Sequence, residues 1–220
     1  MKSSSSNKIM QIFQKEIKCA LRNKSSFLTC LMFGVTVIAC VSFALQGNVL
    51  EAKMQASIFW IALFFTFMSC GEGIFADEVK AGTILALRIY GDGQSVLWGK
   101  MLYNAVFLSV MAVVLAPLYI MFMDCDINNL FLFALVLIAG AIGVASSGTL
   151  VASLSVSANS GKGIFAILML PVILPVLLLS VLLTSQLMGA GDFEMQYLGT
   201  VIFYDVISAV GASVLFDYVW

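Results

Sequence analysis

The stretch FADEVKAGTILALRIYGDGQSVLWGK, residues 75–100, is the only long polar interruption between apolar segments after residue 25. It holds six charges: Asp77, Glu78, Lys80, Arg88, Asp92 and Lys100. On both sides of it the chain reads as if built for a bilayer. Phe27–Leu45 is 19 residues without a charge, and Ala56–Phe75 is 20 residues carrying only Glu72 near its end. Beyond the interruption, Met101–Met123 (23 residues), Leu130–Val156 (27) and Gly163–Leu183 (21) are uncharged, and Gln196–Phe216 (21) holds a single Asp205. A helix rising about 1.5 Å per residue needs roughly 20 residues to cross the hydrocarbon core. A lone strand cannot satisfy its backbone in lipid, so six helical spans are expected.

Composition agrees. Of 220 residues, 61 % are hydrophobic and 10 % charged, and mean hydropathy is +1.05. A soluble domain sits near 45–50 % apolar and about 25 % charged. The expected class is an all-α integral membrane protein. There is no histidine, which removes the usual general base, metal ligand and haem axial ligand. Five scattered cysteines form neither a metal spacing nor a disulfide framework. No clustered nucleophile, base or metal set points to an enzyme, and no cofactor is expected. No internal repeat is evident, and nothing in the charge pattern points to nucleic acid.

Ahead of the spans, Ile9, Ile12, Phe13, Ile17, Ala20 and Leu21 recur at spacings of three and four. Lys8, Lys15, Lys18 and Arg22 fall elsewhere on that wheel. Residues 1–25 are therefore expected to be a cytosolic tail and an amphipathic helix lying in the membrane interface. Residues 26–220 are the transmembrane domain. Orientation follows from basic residues. With the N-terminus inside, Lys53 alone of eleven falls outside, together with Glu51, Asp124, Asp126, Asp192 and Glu194. Both termini and the 75–100 loop are then cytoplasmic.

Within the loop, Ala76, Val79, Lys80, Thr83, Ile84 and Leu87 fall at helical spacing. Asp77 and Glu78 stand near the N-terminus of that helix, where its dipole favours acids. Gly91-Asp92-Gly93 reads as a turn, and Trp98 and Lys100 as interfacial anchors for the third span. A short helix mixing apolar and charged residues suits a groove in another protein. Gly93–Lys100 approaches a phosphate loop, but it has five residues between its glycines where four are needed, and Met101 follows the lysine. Pro171 and Pro175, four apart in the fifth span, each remove a helix hydrogen bond and suggest a hinge or a static kink. Asp205 is an acid at membrane depth, where a charge costs about 2.5–3.5 kcal/mol on insertion scales. Its options are to be protonated, to be paired, or to line a polar cavity. Gly140, Gly143 and Ser147 make a small-residue face, a candidate dimer interface.

Three motifs add a resemblance: Phe75-x-x-Glu78-x-x-x-Gly82-Thr83-Ile84-Leu85, Gly99-Lys100, and Leu170-Pro171-x-x-x-Pro175. With the amphipathic start and six spans, they resemble the haem exporter protein B family, the permease subunit of the cytochrome c maturation ABC transporter. The resemblance implies a type-two ABC exporter permease fold in the bacterial or mitochondrial-type inner membrane. It implies a homodimer working with a separate ABC ATPase subunit and with haem-handling membrane subunits. Asp77, Glu78, Gly82, Thr83, Leu85 and Arg88 would couple to the ATPase, and the complex would serve release of haem-loaded chaperone. Such loops commonly carry a proline where this chain reads Arg88-Ile-Tyr-Gly-Asp-Gly. The alternatives are an exporter permease for another substrate, such as a drug or polysaccharide, and a non-transporting membrane scaffold.

Overall fold

The structure is a computed structural model, and it describes residues 2–22, 24–48, 50–71, 73–157 and 163–219. Those residues form helices and short connections, with no strand among them. Helix α1 (Lys2–Arg22) precedes α2 (Lys24–Leu45) and α3 (Ala52–Gly71). Two short helices follow, α4 (Gly73–Lys80) and α5 (Ile84–Tyr90). The bundle is completed by α6 (Gly93–Met123), α7 (Leu130–Ser157), α8 (Gly163–Ser185) and α9 (Met195–Val219). Among the described residues six helices are long and apolar enough to cross a membrane, as the segment lengths predict.

The polar stretch departs from the expected single helix and turn. The third span begins at Gly93, eight residues earlier than hydropathy places it, so α6 runs for 31 residues. The remainder breaks at Gly82, whose φ of 68° lies in the left-handed region that glycine adopts without penalty. Gly82 N and Thr83 N donate back to the carbonyls of Val79 and Glu78 at 3.1 and 2.9 Å, which closes α4 before α5 opens. Asp92 supplies the extended residue before α6.

Helix α7 is the centre of the bundle, packed against α6, α8, α9 and α4. Lipid tails are as apolar as leucine, so helices associate through close packing and hydrogen bonds. The small residues of α7 serve that purpose. A Cβ on Gly140 would stand 2.2 Å from Trp60 and 2.7 Å from Ser180, and one on Gly143 would stand 2.2 Å from Asp205 and 2.9 Å from Val176. Ser147 is fully buried. This face is consumed within the protomer and is not free to join two copies, which corrects the sequence reading. Polar ties accompany the packing: Trp60 Nε1 donates to Thr184 Oγ1 at 2.9 Å, Asn104 Nδ2 to Thr149 Oγ1 at 2.8 Å, and Tyr119 OH to the Gln55 carbonyl at 2.6 Å.

The fifth span stays helical through Pro171 and Pro175. Between the prolines, Tyr204 of α9 donates its hydroxyl to the Val172 carbonyl at 2.6 Å. The departure from α-helical geometry comes later, in a π-helical turn at Gln186–Ala190 where Gly189 has φ 99°.

Replacing Gly140 with Ala forces its new methyl onto the rigid indole of Trp60. A loss of about 1–3 kcal/mol is expected for overpacking of this kind, read as a lower melting temperature in detergent. Gly199→Ala meets nothing within 4 Å and leaves the melt unchanged.

Candidate functional site

The polar stretch and the N-terminal helix meet at one end of the bundle. There, Gly99 leaves room for α1: a Cβ at that position would stand 2.7 Å from the Ile12 side chain and 3.2 Å from the Ile9 carbonyl. Ile12 is 2 % exposed. The apolar face of α1 therefore lies against the start of α6, with Ile9, Phe13, Ile17 and Ala20 half-buried along it.

One residue along, Lys100 points under α4. Its side chain is 2 % exposed. The ammonium donates to Glu78 Oε1 at 2.7 Å, to Glu16 Oε1 at 3.0 Å and to the Ile74 carbonyl at 2.6 Å, and it lies 4.9 Å above the Phe75 ring. All three of its donors are used. Lys15 of α1 reaches the same Glu78 oxygen at 2.7 Å and Glu16 at 3.0 Å. Two lysines and two glutamates thus form a closed knot that joins α1, α4 and α6. Two further contacts fasten α1 to the connection. Lys8 pairs with Asp92 at 2.7 Å, and Tyr90 of α5 donates its hydroxyl to Gln11 Oε1. Residues 8, 11, 12 and 15 share one face of a helix, so α1 touches the connection along its length.

Electrostatics follow from this geometry. Burial pushes the Glu78 carboxyl up, but the Lys100 and Lys15 ammoniums outweigh it and leave the group below the ordinary carboxylate value. Burial lowers Lys15, and its bonds to Glu78 and Glu16 more than reverse that. The hydrogen bond from Lys8 holds Asp92 low.

The expected site residues divide. Glu78 is 8 % exposed and turned inward, so it supports the connection and presents no surface to a partner. Gly82 makes the break, with open space around it. Thr83 is exposed and precedes α5 without a side-chain cap. Leu85 is 66 % exposed. Asp77 and Arg88 lie in helical backbone, but their side chains, like all of Glu72, fall outside the described residues. Lys100 is a buried centre of charge, not an interfacial anchor. Lys8 and Lys15, expected on a headgroup-facing surface, bond carboxylates of the connection. Glu16 was not singled out by sequence at all; an acid amid the basic residues of α1 was the only sign of it.

Elsewhere, Asp205 is buried on α9 against Gly143 of α7. Among the described residues no group of three or more His, Cys, Asp or Glu could hold a metal ion.

Six apolar crossings with a helix locked across one end define a multi-pass membrane protein. Residues 7–217 match the model of the CcmB protein family, and the chain belongs to that family. A curated relative, heme exporter protein B of Bradyrhizobium diazoefficiens, is 24 % identical over 172 residues, covering 77 % of this chain and 78 % of the relative.

Lys100→Met leaves Glu78 buried with one counter-charge. Removing one member of a buried pair costs about 3–5 kcal/mol, so thermal stability in detergent falls, and the double variant Lys100→Met/Glu78→Gln recovers part of the loss. The ion pairs also set a pH window. Glu78 is depressed, so its contribution is complete above pH 4.5 and fades as pH falls through its lower folded value. Lys15 is raised, so its contribution is complete below pH 10.5 and fades above. A spin label on Cys19, measured against one on residue 94, should hold its distance across that window and lengthen in acid. A label that stays in place in acid and in Lys100→Met shows that α1 is held without the knot.

Proposed function

We propose that this chain is the permease subunit of an ABC transporter complex for cytochrome c maturation, and that its α4–α5 connection docks on a separate ATPase. One observation supports the docking above others. Leu85 (66 % exposed) and Ile89 (87 % exposed) sit four apart on α5, a helix outside the six spans. Apolar side chains outside the spans, on one helical face, suit a groove in a second protein. Val79 and Tyr90, both about half exposed, extend the patch. In this reading Leu85, Ile89 and the turn at Gly82-Thr83 face the ATPase, Asp77 and Arg88 belong to the coupling set by their places in α4 and α5, and Glu78 transmits.

The distribution of basic residues supports a cytoplasmic location for this end and for both termini. The proposal includes an inner-membrane setting, two permease copies with two ATPases, and haem-handling membrane subunits, a reading that family membership supports. Haem as the substrate class is taken from the relative's name, and release of haem-loaded chaperone is part of the proposal. Without a histidine in the chain, imidazole ligation of haem iron would come from another subunit. Pro171 and Pro175 are proposed to let the fifth span bend as the connection moves, and the π turn at Gln186–Ala190 gives that span a second yielding point.

Leu85→Asp and Ile89→Asp should each cut co-purification of the ATPase at least tenfold while the chain stays in the membrane with an unchanged melt. Undiminished co-purification would sink the docking reading. Haem staining of c-type cytochromes in the deletion strain tests the substrate class. Normal staining would favour another exported substrate, and ATPase turnover indifferent to this chain would favour a scaffold.

A further inference from the structure

The cations of α1 are not all spent at the connection. Lys8, Gln11, Lys15, Lys18 and Arg22 recur at spacings of three and four, so they form one stripe along the helix. The first three bond Asp92, Tyr90 and Glu78. Lys18 and Arg22 continue the stripe past the last of these contacts. Both are exposed, and neither bonds a carboxylate among the described residues. Lys24, which opens α2, is in the same condition. From residue 17 to residue 50 the chain has no Asp or Glu, so no neighbouring acid in sequence answers them. Three positive charges therefore meet where α1 ends and the first span begins.

That span sets their depth. Helix α2 runs for 22 residues, about 33 Å at the helical rise, against a hydrocarbon core of about 30 Å, so Lys24 stands at headgroup level. Apolar side chains lie beside the cations. Leu21 follows Lys18 by three residues and Leu28 follows Lys24 by four, and both are half exposed or more. Met10, on the same line of α1 as Leu21, is exposed too. A free phosphate would give nothing to these leucines. An acidic protein segment would have to displace lipid from them, and a zwitterionic headgroup would bring an ammonium of its own against the three cations. We propose that Lys18, Arg22 and Lys24 hold the headgroup phosphate of an anionic phospholipid in the leaflet on the side of the knot, with its acyl chains along Leu21 and Leu28. Basic residues beside a span draw anionic lipid, and exposed apolar neighbours on the same helix add to the hold. Helix α1 is then fastened twice, by the connection along its first half and by lipid at its end. This site does not rest on the ATPase reading.

The test uses the complex purified from native membranes and placed in phosphatidylcholine nanodiscs. The fluorescent residue acridonylalanine replaces Cys19, which is exposed and next to Lys18. Phosphatidylglycerol with a doxyl quencher high on its acyl chain is titrated in, and doxyl-labelled phosphatidylcholine is the reference. The anionic quencher should act at mole fractions where the reference does not. Lys18→Gln/Arg22→Gln/Lys24→Gln should weaken its binding about a hundredfold, roughly fivefold per cation, whereas Lys53→Gln at the other end of the bundle should leave it unchanged. Arg22→Gln alone, expected to weaken it about fivefold, decides the matter if the triple variant does not accumulate. Equal quenching by the two lipids, an anionic preference that survives the substitutions, displacement of the quencher by inorganic phosphate, or a label shielded from both lipids by another protein overturns the proposal.

Discussion

A buried ammonium has to be answered on every hydrogen, and Lys100 is answered by two elements other than its own. Glu16 comes from α1, Glu78 and the Ile74 carbonyl from α4, and the lysine itself from α6. Taking charges out of water is costly, and attraction offsets that only when the remaining bonds are satisfied. The arrangement therefore specifies position more than it adds stability. If α4 slides or α1 lifts, a charge is stranded. Gly99, immediately before the lysine, lets α1 come near enough for Glu16 and Lys15 to take part. The Gly-Lys pair that superficially suggests a phosphate loop is thus a seat and a rivet.

The same logic of close approach, without charge, organises the spans. In lipid there is no gain from hiding leucine, so the bundle depends on backbones coming near one another. Helix α7 supplies Gly140, Gly143 and Gly148, each facing a large or polar neighbour: Trp60, Asp205 and Phe67. A small-residue face is as good for a neighbour in the same chain as for a second copy. With α3, α4, α6, α8 and α9 packed around α7, the protomer's own helices take it.

How much of this could be read in advance follows from what each feature depends on. Span number and most span ends follow from hydropathy, because the hydrocarbon core imposes a length. Hydropathy places the start of α6 too late because Gly93–Lys100 is polar by composition yet packed under α1, and composition does not register cover. Gly82 stands in a motif and has the positive φ that its residue type adopts easily, but the break it makes is hidden in the sequence, since Ala76 to Leu87 keep helical spacing across it. The knot was least legible. Its members are separated by 84 residues between Glu16 and Lys100, and nothing in the periodicity of α1 distinguishes a lysine facing headgroups from one facing a carboxylate.

These features together constrain how force could travel in the proposed coupling. Helix α5 turns Leu85 and Ile89 outward and keeps Leu87 half-buried, so a partner gripping it holds a short lever. The lever lies between the break at Gly82 and the extended turn at Gly91, and α1 straps both ends through Lys15–Glu78 and Lys8–Asp92. The two straps differ in kind. The Lys8–Asp92 pair is open to solvent and screened by salt, whereas Glu78 is buried against α6. Displacement of α5 would therefore yield first at Asp92, while the Glu78 end stays fixed to Lys100 and carries the motion into the third span. In the proposed coupling, a permease strapped in this way would have its compliant point and its stiff point at opposite ends of one short connection, and a push on α5 would reach α6 with a defined direction.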